Sequence, residues 1–222
     1  MIVAVTGLVR EAQIVKGSRI VTVVGGGDAE GLKKQLDSLL PDKTISGVIS
    51  IGVAGGLSPD FAPGSVVVGT DVVAGNERYP TDVDWMQRLW KAIPRSKPGT
   101  IAGSDDIITY RPDKTDLFER TGAVAVDMES HIAARAAASR NLPFAVLRVI
   151  CDPASRTLPP AAMVAMKADG AIDYEAILRS VMAHPLQILD LIYLMRDSSA
   201  AFRALLRCRN FLGDGLGCPD LR

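Results

Sequence analysis

The sequence predicts an α/β fold: a mostly parallel central sheet, helices on both of its faces, and a C-terminal helical tail. Three observations carry this expectation. Apolar runs that read as buried strands recur at 2–6 (IVAVT), 20–24 (IVTVV), 48–52 (VISIG) and 144–152 (FAVLRVICD). Helical patterns fall between several of these runs, as parallel strands joined by crossovers require. From about residue 171 to 209 the pattern becomes helical throughout.

Taken in order, the first strand ends at Gly7 and the second runs into Gly25-Gly26-Gly27-Asp28. A helix follows, because Leu32, Leu36, Leu39 and Leu40 share one face, and Pro41 stands just beyond its end. After VISIG comes a glycine turn, then SVVVGTDVV (65–73) as a strand or hairpin arm. A short helix over 81–92 starts near Asp82 or Asp84. TIAGSDDII (100–108) reads as strand, turn and strand or loop. AVAVDM (123–128) is a strand leading into an alanine-rich helix over 129–140. The tail reads as two helices broken or kinked at Pro185, and LQILDLIYLM (186–195) within it is apolar nearly all round. Ten residues are too few to cross a bilayer, so this stretch is expected to pack on the body, on a partner subunit, or against a membrane surface. The expected organisation is a catalytic domain over 1–170 with a helical extension over 171–222.

Composition narrows the function classes. The 222 residues are 48% hydrophobic and 23% charged, the balance of a globular protein with a sizeable core. Lys+Arg 25 against Asp+Glu 25 leaves no net charge, so the basic excess of nucleic-acid binders is missing and no nucleic-acid partner is expected. Cys151, Cys208 and Cys218 are odd in number and form no C-x-x-C pair, which suits a reducing cytoplasm. The N-terminus reads as a first strand rather than a signal peptide. His131 and His184 have no metal-ligand spacing, and neither a metal nor an organic cofactor is expected.

In open parallel sheets ligands bind beyond the carboxyl ends of the strands. Four segments end strands there with polar or glycine-rich turns: 25–28 (GGGD), 52–57 (GVAGGL), 103–106 (GSDD), and 127–130 (DMES) with 151–153 (CDP). Gly25 to Gly27 match neither a P-loop nor the spaced glycines of a dinucleotide site. Taken in order, however, GVAGGL, GSDDII, AVDMES and RVICDPA resemble the nucleoside phosphorylase and nucleosidase superfamily, near the methylthioadenosine/S-adenosylhomocysteine nucleosidases. The likeness covers residues 2 to about 155. V-D-M-E-S followed about two dozen residues later by R-V-I-C-D is its most specific part.

That resemblance implies a three-layer fold and a pocket for base and ribose. It gives Asp152 the role of the acid facing the purine N7. Adenine leaves poorly as an anion, so a proton supplied to the ring lowers the barrier, by a factor of about 10²–10⁴. An aspartate does this only where burial raises its pKa, and FAVLRVIC provides an apolar approach. Glu129 is implied to accept hydrogen bonds from the ribose hydroxyls, with Met128 packing on the sugar; a carboxylate there also faces the positive charge that develops on the ribose. Asp127 is read as structural. Ala54 and Gly55 belong to the pocket turn. Cys151 stands where nucleosidases often place a serine that touches the base, and is a packing residue rather than a nucleophile. Ile107 stands in place of a stacking aromatic, and Val53 in place of a serine.

The second substrate is water or phosphate. GLVREAQ aligns with a stretch in which hydrolytic members carry two adjacent glutamates. Glu11 matches the first and is expected to be catalytic with Asp152, while the water-activating second falls on Ala12. Phosphorolysis needs cations and backbone N–H donors instead of a base. Arg10, Arg78 and the amides around Gly26 are the candidates, with phosphate as co-substrate. The whole-chain pattern, including GGGD and the tail from Leu158 through HPLQILDLIYLM, is similar to the hopanoid-associated phosphorylases, which are linked to removing adenine from adenosylhopane. The resemblance therefore implies a lipid-linked adenosyl substrate and a homo-oligomer, with the tail lining a path for the lipid or touching the inner membrane. The alternatives are a nucleosidase acting on a small soluble nucleoside, and a non-catalytic nucleoside-binding protein.

Overall fold

The computed structural model describes residues 1–165, 167 and 169–219; Met166 and Ala168 of the tail pattern, and residues 220–222 of the expected extension, lie outside the described residues. Eight strands form one sheet: β1 (Ile2–Thr6), β2 (Ile20–Val24), β3 (Gly47–Gly56), β4 (Val66–Ala74), β5 (Glu77–Pro80), β6 (Lys97–Gly103), β7 (Ala125–Asp127) and β8 (Phe144–Asp152). β1 pairs in parallel with β2 and β3, β3 with β8, β4 with β6, and β6 with β7. β3 with β7, β4 with β5, and β4 with β8 pair antiparallel. The sheet is therefore mixed, which corrects the expectation of a mostly parallel one. The physical reason is closure. β3, β7, β6, β4 and β8 pair around a ring, so β3 and β4 must each meet strands running both ways. β3 changes partner where its register with β8 slips between Ala54 and Gly55.

The alternation of side chains along the strands builds the three layers. Val3, Val5, Val48 and Val146 face one side, where Leu32, Leu36, Ile132 and Ala133 cover them. These last four lie on α2 (Ala29–Leu39) and α5 (Ser130–Ala138). Ile2, Ala4, Ile49, Leu147 and Val149 face the other side, under Val15, Trp85, Leu89, Phe202 and Leu205. The covering residues come from α1 (Val9–Val15), α3 (Val83–Ala92) and α8 (Ile188–Leu212). The α2 and α3 boundaries follow their sequence signals: Asp28 and Asp82 cap them by accepting from the amides of Gly31 and Trp85.

The structure adds helices that the sequence pattern does not predict. α1 is a seven-residue helix inside GLVREAQ. α4 (Arg111–Thr121) carries Pro112 in its first turn and ends on Gly122 in the left-handed conformation, φ 68°. In the tail, α6 (Pro160–Met163) is a single turn and α7 (Tyr174–Ala183) precedes a short 3₁₀ turn at Pro185–Gln187. The break at Pro185 is where the sequence puts it. Ala201 to Leu212 of α8 pack on the sheet, and the Trp85 indole donates to the Leu216 carbonyl at 2.8 Å. The segment before Ala201 is exposed on many apolar side chains, with Leu186 93% and Met182 77% accessible. Among the described residues no single helix is long and apolar enough to cross a membrane. Tyr174–Ala183 with Pro185–Gly215, bent by 118°, passes that test only as a pair.

Candidate active site

One cleft opens at the ends of β1, β3, β7 and β8. Glu11, Ala54, Gly55, Ile107, Met128 and Glu129 line it with Cys151 and Asp152, so residues from every segment singled out in the sequence except GGGD meet there. Gly7, Leu8, Val53 and Leu158 complete its apolar walls.

Glu11 lies on α1 and is almost fully buried. Its Oε2 accepts from the amides of Gly7 (2.8 Å) and Leu8 (2.9 Å), and its Oε1 from Val53 (2.7 Å). Burial raises its pKa, while the Arg148 charge and these three amide bonds pull it down. The carboxylate thus pins the end of β1 to the turn in β3. Glycine is needed for that approach, since a Cβ on Gly52 would stand 2.6 Å from Glu11 Oε1. Glu129 is served in the same way: Cβ atoms on Gly7 and Gly25 would come within 2.9 Å and 2.8 Å of its side chain. The glycine turns therefore leave room for carboxylates.

Behind these acids stands Arg148, wholly buried in the middle of β8. Its Nε lies 2.6 Å from Asp127 Oδ2, and its Nη2 lies 3.8 Å from Glu129 Oε2 and donates to the Ser50 and Ser130 hydroxyls. Asp127 also accepts from the amides of Glu129 (3.0 Å) and Ser130 (2.7 Å), fixing the turn into α5, in line with a structural role. One guanidinium faces three carboxyl groups. Burial pushes the Glu129 pKa up to about 8; Arg148 opposes this, while Asp127 and Glu11 add to it.

Asp152 ends β8 and is buried. Desolvation raises its pKa above the usual carboxylate range, and the adjacent Lys114 ammonium partly offsets this. Lys114, on α4, is completely buried and donates to Asp152 Oδ2 and to the carbonyls of Arg156 (3.0 Å) and Pro153 (3.3 Å). Cys151 beside it contacts the Ser198 hydroxyl at 3.1 Å; burial pushes its thiol up to about 12, so it stays protonated and unreactive at neutral pH.

The three phosphate candidates are not brought to the cleft. Arg10 lies over the Phe202 ring, 4.1 Å from its centroid. Arg78 pairs with Asp71 across the β4–β5 hairpin. The Gly26 amide donates to the Gly7 carbonyl at 3.0 Å, and Gly26 and Gly27 turn the chain with φ of 61° and 75°.

Sequence reasoning missed Lys114 and the anchoring role of Arg148. Arg148 could have been found, because a lone cation inside the apolar run FAVLRVIC demands buried partners. Lys114 had only the weak helix signal of RPDKTDLFERT, and its partner lies 38 residues away.

The phosphorylase superfamily profile matches residues 32–182. No curated protein matches the chain. Among solved structures, the 5′-methylthioadenosine/S-adenosylhomocysteine nucleosidase of Colwellia psychrerythraea, determined with adenine, is similar at 16% identity and TM-score 0.66, covering 96% of each chain. The corresponding nucleosidase of S. pneumoniae is similar at 15% identity and TM-score 0.65, covering 96% of this chain and 99% of that one. The futalosine hydrolase of Helicobacter pylori is similar at 16% identity and TM-score 0.63, covering 94% and 96%. At these identities the likeness establishes the three-layer fold, and the profile match establishes the family: the chain belongs to the phosphorylase superfamily.

Proposed function

We propose that this enzyme releases adenine from an adenosine-type nucleoside with a large apolar 5′ substituent, of which adenosylhopane is the expected example. The observation that carries the reading is the shared cleft, in which a buried carboxyl of raised pKa, Asp152, and the carboxyl of Glu129 face the same space. Asp152 gives its proton to N7 as the C1′–N9 bond breaks and its electron pair moves to the purine. Glu129 accepts from the ribose hydroxyls and sits close to the positive charge that develops on the sugar. Met128 packs on the sugar, while Ala54, Gly55, Ile107 and Cys151 surround the base. An oxygen of phosphate, or of a water that gives up a proton to solvent, then bonds to C1′.

The apolar 5′ group is supported by the tail. The Gly170 carbonyl accepts from the Val9 amide at 3.2 Å, so the segment leading into α7 starts beside the mouth of the cleft. From there the exposed apolar residues of α7 and early α8 continue outward. They offer a path for a lipid or a face for a membrane surface. The chain is expected to work as a homo-oligomer in the cytoplasm.

A second reading, a nucleosidase acting on a small soluble nucleoside such as methylthioadenosine, is supported equally by the fold likeness; that Arg10, Arg78 and Gly26 do not line the cleft bears on water against phosphate and not on the 5′ group. The test is adenine release from adenosylhopane and from methylthioadenosine, each with and without phosphate. Preference for adenosylhopane supports the first reading. Phosphate-independent turnover of methylthioadenosine alone supports the second.

A further inference from the structure

Lys114 is a buried charge that the proposed chemistry does not use. Its ammonium has three donors, and all three are taken: by Asp152 Oδ2, by the Pro153 carbonyl and by the Arg156 carbonyl. Oδ1 of Asp152 takes no hydrogen bond from the described residues, although Asp152 lines the cleft. The carboxyl group is therefore held by one oxygen and leaves the other for a ligand. A buried ion pair is weak grounds for stability, because an apolar pair of the same volume serves as well or better. This pair spans α4 and the end of β8 at the one carboxyl assigned to face the base. Its position points to control of that carboxyl.

We propose that Lys114 is the positioning residue of Asp152, orienting its free oxygen toward the leaving base and setting the pH at which its proton is lost. The proposal rests on the reading of Asp152 as the acid. Among the described residues the other charged groups acting most on Asp152 are Arg156 on the following loop and Asp197 on α8, which pair with each other, while Glu11, Asp106 and Glu129 line the same cleft. Their opposed charges partly cancel, and Lys114 is the larger influence on the carboxyl. The neighbouring Cys151 thiol stays uncharged at neutral pH.

The sign is fixed by electrostatics. A cation beside a carboxyl favours its ionised form, so removing the cation keeps the acid protonated to higher pH. The test is the pH dependence of kcat/KM for adenine release by the wild type, Lys114→Met, Lys114→Gln, Lys114→Arg and Asp152→Asn. In Lys114→Met and Lys114→Gln the basic limb moves up by about 1–3 pH units, the usual effect of one nearby opposite charge. In Lys114→Arg, which keeps the charge, the limb stays near the wild-type position. Lys114→Gln can still donate to the carbonyls, so it decides the matter if Lys114→Met fails to fold. A lower rate with an unmoved limb in Lys114→Gln would reduce Lys114 to a structural strut and overturn the proposal. Full activity in Asp152→Asn would instead overturn the underlying assignment of the acid, which keeps the two failures distinct.

Discussion

Arg148 Nε lies 2.6 Å from Asp127 Oδ2 in the interior of the sheet, and this pair anchors the acidic side of the cleft. Around it Glu11, Asp127 and Glu129 would, if all ionised, carry more negative charge than one guanidinium can neutralise, and burial holds the pKa of Glu11 and of Glu129 up. Replacing Arg148 with Met should cost about 3–5 kcal/mol, the range for breaking a buried pair by removing one partner. The loss should grow with pH as the orphaned carboxyls ionise. Thermal unfolding at pH 5 and pH 8 measures it, and equal melting temperatures to wild type at both would contradict it.

Glu129 makes stability depend on pH in a defined direction. Its pKa is about 8 in the folded chain, against an ordinary value of 4.5. Across that interval the folded state binds more protons than the unfolded one, so this group's contribution to stability falls as pH rises from about 4.5 to 8 and levels off above. Glu129→Gln should flatten that slope in denaturant titrations. A slope unchanged by the substitution would show that Glu129 does not titrate in this range.

Gly52 should tolerate no side chain. A Cβ there would meet Glu11 Oε1 at 2.6 Å and push the carboxylate off the Gly7, Leu8 and Val53 amides. Gly52→Ala is expected to destabilise by about 1–3 kcal/mol, the usual cost of overpacking a core. It should also lower adenine release. A variant with wild-type melting temperature and rate would mean that Glu11 does not need its present seat.

The exposed tail makes a separate claim. Met182, Leu186 and Leu189 are 77%, 93% and 67% accessible. If this face meets lipid, the full chain co-sediments with phospholipid vesicles, and a variant with Ser at all three positions does so less while keeping its rate on methylthioadenosine. Equal sedimentation of the two proteins would remove the membrane from the account.

Much of this organisation was legible in the sequence because strand periodicity and strand-end chemistry are local signals. The run FAVLRVICD matches β8 residue for residue, and Asp82 and Pro185 mark a helix start and a helix break where the structure has them. The mixed sheet was not legible, since the direction in which β4 meets β8 is decided by ring closure and no residue near either strand encodes it. The glycine turns were legible as strand ends, and Ala54 and Gly55 line the cleft, but the close approach of Gly25 to Glu129 and of Gly52 to Glu11 was not, because it depends on chain segments far away in sequence. Lys114 was invisible for the same reason as the ring: its meaning depends on Asp152, which only the fold brings to it.

The most direct test of the central claim, that this cleft cleaves the glycosidic bond with Asp152 as the acid, is the rate of adenine release by Asp152→Asn beside the wild type on the preferred adenosine-type substrate. The wild type should release adenine, and the variant, still folded, should be slower by about 10²–10⁴-fold. A folded Asp152→Asn protein that releases adenine at the wild-type rate would contradict it.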